Sequence, residues 1–349
     1  MNPERKFHPR FFHVVHNAKL RPLGSVTEAL EVLKGAGYVW FDYLDPVRED
    51  LEPLMNPLCL HQLAIEDCLD EDQVPKIDDF PTNTFILFNS YDYVDGTLVI
   101  DEIDFFLGKN FLVSIHHCHT GTKDFFDKLD DTVARDIGNA RRGPDFLLHV
   151  ILDYVVDRKF KAIEALQEEL DSAEEIILKS PSSFNPETVM YLRKSLLSLR
   201  KSLYHEREVM IRVCRRDSPF ISEKAIYHFR DIYDHLAKFF EAIEIYREMI
   251  STLMEMYLSM LNNRMTKVAN RTNKIVRRLT LINTIFMPLT LLAGIGGMSE
   301  WTMMTGIGNW KLAYPLFLVL MVVVAVANYF ILKKLEDKDS RDADAELEE

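Results

Sequence analysis

Polar side chains recur every three or four residues along an otherwise apolar segment near the end of the chain. This spacing is the seam of a heptad pattern, so one face of a helix would carry all of them. Stacked around a symmetry axis, their amide and hydroxyl oxygens suit a hard cation that keeps most of its hydration shell. The alternative is a helix–helix contact in which Asn and Thr hydrogen-bond between neighbours, and the spacing alone leaves both open. The set is Asn273, Val276, Thr280, Asn283, Met287, Thr290 and Gly294.

Two apolar segments, 279–295 and 312–332, each approach the roughly 20 residues that a helix needs to cross a bilayer. They predict a transmembrane hairpin in contact with membrane lipids, with an outer loop at 296–311. Because basic residues crowd one side of the hairpin, the positive-inside rule predicts both termini in the cytoplasm and a location in the cell (inner) membrane. Two spans cannot enclose a water-filled path, so any pore needs several copies. The basic flanks are Lys267, Arg271, Lys274, Arg277, Arg278, Lys333 and Lys334.

The segment 1–142 predicts a cytoplasmic α/β domain, because short β-like runs alternate there with turns and helix starts. We expect a mixed or antiparallel sheet with flanking helices. The predicted strands are 37–43, 84–88, 98–100, 103–107 and 111–115, and the predicted helices are 27–33 and 45–55.

The segment 143–278 predicts a cytoplasmic helical region, because no glycine occurs between Gly143 and Gly294. Helices are expected at 146–178 and 187–215. Between Pro219 and Pro288 nothing stops a helix, so a long stalk helix is expected to run into the first span. The segment 333–349 is interpreted as an acidic cytoplasmic tail, and its residues 336–349 are expected to be disordered.

The composition limits the classes of function. A net charge of −13 favours cations as partners of the chain, and it does not favour nucleic acid. The four cysteines show no paired spacing, which is typical of a reducing cytoplasm. Because no Ser, His and Asp residues form the pattern of a catalytic triad, the chain is predicted to be a non-enzyme.

Four adjacent residues have the side-chain types of a zinc site: His116, His117, Cys118 and His119. They follow a predicted strand, in which neighbouring side chains point to opposite faces, so all four cannot easily reach one ion. A loop end is therefore the favoured interpretation. An acidic series further along is interpreted as a solvated helix face, with metal sensing as the alternative: Glu164, Glu168, Glu169, Asp171, Glu174 and Glu175.

Several motifs resemble the CorA family of divalent-cation channels, and the likeness covers nearly the whole chain. The matching segments are 64–68 (AIEDC), 75–77 (PKI), 229–235 (FRDIYDH), 257–259 (YLS), 270–280 (NRTNKIVRRLT), 284–290 (TIFMPLT) and 293–298 (AGIGGM).

The resemblance implies a funnel-shaped homopentamer in which the first span lines a pore and the second faces lipid. Divalent cations, with Mg²⁺ as the family's typical ion, would enter passively along the membrane potential, and cytoplasmic metal would close the gate. Asp231 lies where the family has an acidic residue at a regulatory metal site between subunits. The pore-facing positions would include Asn273, Thr280, Met287, Thr290 and Gly294.

The outer mouth departs from the family pattern. The family reads Gly-Met-Asn there, whereas Gly297 and Met298 are followed here by Ser299. A serine hydroxyl both donates and accepts hydrogen bonds, but it is shorter than the amide, so its ring would be wider. Glu300 follows and is expected to attract cations, with a plain loop charge as the alternative. In the inner neck, 263–268 and 270–275 resemble a heptad duplication, which predicts a longer neck.

Three functions stay open at this point. The first is a pentameric Mg²⁺-type channel gated by cytoplasmic metal. The second keeps the fold but carries Zn²⁺, Co²⁺ or Ni²⁺, as in the ZntB branch of the superfamily. The third is a non-conducting membrane scaffold or regulatory protein, which Ser299 keeps open and the polar stripe opposes.

Overall fold

The chain forms two compact units, Met1–Tyr257 and Leu258–Glu349. A computed structural model describes residues 9–15, 20–70, 73–117, 123–181, 183–215, 218–297, 306 and 308–345.

A seven-stranded mixed sheet forms the centre of the first unit, as predicted. Its strands are β1 (Arg10–Val14), β2 (Arg21–Leu23), β3 (Tyr38–Leu44), β4 (Lys76–Asp79), β5 (Asn83–Val94), β6 (Thr97–Gly108) and β7 (Phe111–His116). The order is β2-β1-β3-β7-β6-β5-β4. The pair β3–β7 is parallel, and the other described pairs are antiparallel.

Helices cover the sheet. Three short helices, α1 (Val26–Val32), α2 (Arg48–Leu58) and α3 (Gln62–Asp67), pack with one face of the sheet in a continuous apolar core. The following helices are α4 (Lys123–Arg135), α5 (Ile137–Ala140), α6 (Pro144–Lys179) and α7 (Pro186–Cys214). Of these, α6 makes the most extensive contact with the sheet, mainly along β5.

A buried ion pair joins α6 to α7. The ammonium of Lys159 donates to the carboxylate of Glu206, and both side chains are inaccessible to solvent. Burial lowers the pKa of Lys159 to about 8 and raises that of Glu206. The ammonium also lies 4.1 Å from the ring centroid of Phe88 on β5. Because either charge alone would be costly to bury, the pair fixes both helices against the sheet.

The long helix predicted from the sequence is confirmed, and it runs through the whole of the first predicted span. Helix α8 (Glu223–Gly296) has 74 residues and continues past Pro288. A proline removes one backbone donor but does not necessarily end an apolar helix. Helix α9 (Trp310–Ala345) follows. Within the described residues, these two are the helices that are long and apolar enough to cross a membrane.

Some local predictions were wrong. Strands β1, β2 and β4 were not expected, because short strands carry little periodicity of their own. The helix expected from Asp45 begins at Arg48, since Asp45 adopts a left-handed backbone with φ of 44°. The tail expected to be disordered from residue 336 is helical to Ala345. A low apolar content limits packing, but it does not stop an established helix that meets neither Gly nor Pro.

Each of the two apolar helices in the second unit has one side that is less exposed to solvent than the rest of its surface. On both, the partly buried residues recur at spacings of three and four, which marks a packing face. The ring of Phe317 lies 2.6 Å from where a Cβ on Gly296 would be, so the helices touch there. The partly buried set on α8 is Leu281, Ile285, Pro288, Leu289, Leu292 and Gly296. On α9 it includes Ala313, Phe317, Met321, Val324, Asn328 and Leu332.

This contact predicts opposite effects for two neighbouring glycines. Gly296→Ala forces its methyl group into the Phe317 ring and should destabilise the hairpin by about 1–3 kcal/mol. Gly294→Ala meets no atom within 4 Å and should stabilise the helix by about 1 kcal/mol. Thermal unfolding of the full chain in detergent measures both. Adding Phe317→Leu should recover most of the loss in Gly296→Ala. An unchanged melting temperature in Gly296→Ala would contradict the contact.

Candidate functional site

The seven residues of the predicted polar stripe are all exposed along α8 in the single chain. Met287 is 78% exposed and Val276 is 54% exposed. With 3.6 residues per turn, the stripe lies roughly 200° around the helix from the side that packs toward α9. A shallow groove follows the stripe past Asn283, Met287, Thr290 and Gly294. The second helix of the hairpin therefore leaves the stripe uncovered.

The threonine hydroxyl groups in the apolar part of α8 donate hydrogen bonds to its backbone. Thr280 donates to the carbonyl of Val276 at 3.0 Å, and Thr290 donates to that of Phe286 at 2.8 Å. The hydroxyl hydrogens are therefore used, and each Oγ1 faces outward as an acceptor. The amides of Asn273 and Asn283 make no hydrogen bond to any described residue. The stripe thus presents acceptor oxygens together with two unengaged amides.

The predicted outer mouth is only partly described. Gly297 lies directly after the end of α8, is exposed, and donates its N–H to the carbonyl of Ala293 at 3.0 Å. Met298, Ser299 and Glu300 lie outside the described residues. Their assignment to the mouth therefore stays a prediction.

Asp231 lies on the first-unit part of α8, on the side opposite to its buried residues. Phe229 and Ile232 are buried, whereas the Asp231 side chain is 69% exposed. Its Oδ2 lies 3.8 Å from Nε2 of His235, one turn further along. Burial, together with the negative charges of Asp157 and Asp231, raises the pKa of Asp153 on α6.

The acidic surface around Asp231 extends beyond what the sequence analysis identified. Asp157 on α6 and Asp231 on α8 both act electrostatically on Asp153 of α6, and neither Asp153 nor Asp157 was selected as a site residue. Their spacing of four residues on one helix face was the signal available. By contrast, the acidic series predicted as a solvated face lies exposed or half-buried along α6, as expected of such a face.

The histidine-rich segment separates onto two faces, as the strand periodicity predicted. His116 is buried, and its Nε2 lies 2.8 Å from Oδ1 of Asp42. His117 lies by Glu102 and Asp104 instead. Cys118 and His119 lie outside the described residues. The segment therefore does not supply adjacent histidines to one ion.

Comparison with known proteins agrees with this architecture. The family described as "CorA-like Mg2+ transporter protein" matches residues 35–334. The cobalt/magnesium transport protein CorA of Thermotoga maritima is 32% identical over 278 residues, which are 79% of this chain and 76% of that protein.

Solved structures share the fold. The CorA magnesium transporter from Methanocaldococcus jannaschii superposes with a TM-score of 0.66 at 22% identity, covering 94% of this chain and 98% of that one. The ZntB cytoplasmic domain from Vibrio parahaemolyticus gives 0.58 at 10% identity, covering 73% of this chain and 98% of that one.

The family match includes strands β3 to β7, the long helices α6, α7 and α8, and the apolar part of α9. Proteins of this family are ion transporters and not enzymes. The chain is therefore a membrane protein that belongs to the CorA-like Mg²⁺ transporter family.

Proposed function

We propose that the chain is a passive divalent-cation channel of the Mg²⁺ type that works as a homopentamer. The observation that carries this proposal is the polar stripe on the side of α8 that α9 leaves uncovered. Copies arranged around an axis would bring their stripes together. The basic flanks support a cell (inner) membrane location with both termini in the cytoplasm. The relative named as a cobalt/magnesium transporter supports the choice of cargo.

The side chains of the stripe suit a cation that stays hydrated. The outward Oγ1 atoms of Thr280 and Thr290 can accept hydrogen bonds from water around the ion. The amide of Asn283 can turn its carbonyl oxygen toward the same water. Since Mg²⁺ gives up its water reluctantly, such neutral rings would pass it without direct coordination.

The mouth would be formed by Gly297, Met298, Ser299 and Glu300. Five Glu300 carboxylates around one axis would create a strong negative potential that concentrates cations. Ser299 would add neutral hydroxyl oxygens in a wider ring than the amide of the family motif. This substitution favours a second candidate function, a transporter for Zn²⁺, Co²⁺ or Ni²⁺ that needs less strict selection of a hydrated ion.

Uptake into liposomes that contain the purified protein tests the proposal. With a membrane potential that is negative inside, Mg²⁺ should enter faster than into empty liposomes, and Co²⁺, Ni²⁺ and Zn²⁺ should be compared in parallel. Uptake of the three transition metals without Mg²⁺ would favour the second candidate. No uptake of any ion, together with uptake by Ser299→Asn, would contradict a channel and favour a membrane scaffold.

Glu300→Gln should lower uptake several-fold at low ionic strength and only slightly at high ionic strength. The reason is that the screening length falls from about 30 Å at 0.01 M to about 3 Å at 1 M. Glu255→Gln, which neutralises an exposed carboxylate on α8 within the first unit, is the matched control and should not change uptake. Equal uptake by Glu300→Gln and the wild type at every salt concentration would make Glu300 a plain loop charge.

The acidic surface of Asp153, Asp157 and Asp231 supports regulation by cytoplasmic metal. Carboxylates that share a surface repel one another, and the raised pKa of Asp153 reflects this repulsion after its burial. A divalent cation would remove the repulsion and so favour whichever arrangement brings the carboxylates together. We propose that this arrangement is the closed channel.

Asp231→Asn should therefore abolish protection by metal. Mg²⁺ should slow proteolysis of the wild-type full chain several-fold and should leave the cleavage rate of Asp231→Asn unchanged. Asp234→Asn is the matched control, because Asp234 is exposed on the same helix but acts on Cys214 of α7. Protection that persists in Asp231→Asn would exclude Asp231 from the regulatory site.

A further inference from the structure

Three side chains that can bind a metal converge in the first unit: Glu102, Asp104 and His117. Their ligand atoms all lie within 4.8 Å of one another. Glu102 and Asp104 share one face of β6, because alternate residues of a strand point the same way. His117 follows β7, and its N–H donates to the carbonyl of Glu102 at 3.1 Å. Neighbouring strands thus hold the three side chains together.

Asp104 is fully buried, and its hydrogen-bond partners are the thiol of Cys68, which is a weak donor, and the carboxyl group of Glu102. Leu87 and Ile115 flank it on the adjacent strands. In the part of the chain that the structure describes, neither of its oxygens accepts a hydrogen bond from a nitrogen or a hydroxyl group. Oε1 of Glu102 likewise accepts no such hydrogen bond from the described residues. A buried carboxylate without such donors is costly, so the cluster favours the entry of a cation.

The cationic side chains that the structure describes near the cluster do not fill this role. Lys76 is the ammonium group that acts on both carboxyls, but it donates to Asp67 at 2.6 Å. Nε2 of His117 lies 3.9 Å from Oδ2 of Asp104, which is beyond hydrogen-bond distance. Burial and the mutual repulsion of Glu102 and Asp104 raise the pKa of Asp104, and burial raises that of Glu102 to about 7.

We propose that Glu102, Asp104 and His117 bind one transition-metal ion of the Zn²⁺, Co²⁺ and Ni²⁺ class. An imidazole nitrogen with two carboxylate oxygens suits these ions, whereas Mg²⁺ prefers oxygen ligands alone. Ligand atoms of a tetrahedral zinc site lie roughly 3.3–3.6 Å apart, so the side chains need to close by about 1 Å.

Access and a fourth ligand come from an adjacent cavity. Glu102 and His117 line a cavity of about 390 Å³ that His205 and Lys201 of α7 also border. Water from this cavity can complete the coordination. Oε2 of Glu102 also accepts a hydrogen bond from the backbone N–H of Gln73 at 3.2 Å. The metal would therefore bind where the segment that contains Gln73 meets β6. The site contains no residue of α8 and is separate from the proposed cargo path.

Metal analysis of the full chain in detergent tests this proposal. The protein is stripped with a chelator, dialysed against Zn²⁺ with Mg²⁺ in large excess, and assayed for zinc per chain. The wild type should retain one more Zn²⁺ per chain than Asp104→Asn or His117→Gln. His205→Gln, which removes an imidazole from the same cavity, is the matched control and should retain the wild-type content. Equal zinc content in all four proteins would overturn the proposal.

Two further measurements keep the test decisive. Zn²⁺ should raise the melting temperature of the wild type and of His205→Gln, but not that of Asp104→Asn, whose circular dichroism checks its folding. If the variants do not fold, Co²⁺ bound to the wild type in excess Mg²⁺ should give the intense visible absorption of a tetrahedral site, which Zn²⁺ then removes. Only the weak spectrum of octahedral Co²⁺ would overturn the proposal.

Discussion

The second unit depends on the requirement that polar groups in a bilayer find partners, because hydrocarbon offers none. The threonines of α8 meet this requirement within their own helix, through the carbonyl one turn earlier. Asn283 does not, since its amide has no partner among the described residues and lies away from the α9-facing side. A lone hairpin would therefore expose a polar amide to lipid. Water or other copies of the chain would remove this cost, which is why the stripe supports an assembly around an aqueous path.

The same helix also takes part in the first unit. Helix α8 begins there with a buried side that includes Phe229, Ile232 and Leu236. The buried Lys159–Glu206 pair holds α6 and α7 against the sheet, so the acidic groups of α6 have fixed positions. Asp231 lies on the exposed side of the same stretch of α8. One continuous helix thus carries both the acidic surface and the polar stripe, and this continuity is the physical basis for the proposed regulation.

The sequence predicted the features that depend on local periodicity. The helices α6, α7 and α8 and the central strands were found from apolar spacing, and the mixed sheet followed from their alternation. The shared helix side of the polar stripe could also be predicted from the sequence, because spacings of three and four place residues on one side of a helix whatever surrounds them. The opposite orientation of His116 and His117 followed from strand geometry alone.

The missed features come from pairing between distant segments. Strands β1 and β4 are short and are defined by their partners β3 and β5. Glu102 and Asp104 meet His117 only because β6 pairs with β7 in a particular register, which a single sequence does not reveal. The tail from residue 336 was wrongly predicted to be disordered, because composition describes packing, while helix continuation depends on the preceding turns.

The central claim is that the stripe of α8 faces the conducting water. Single cysteines at Asn283 and Thr290, and at Ile285 and Leu292 on the α9-facing side, can be compared in a background free of native cysteines. A charged, water-soluble thiol reagent is then applied to liposomes during Mg²⁺ uptake. The account predicts that modification at Asn283 and Thr290 stops uptake, while Ile285 and Leu292 stay unmodified and conducting. Block from the α9-facing positions with no effect at the stripe would contradict it.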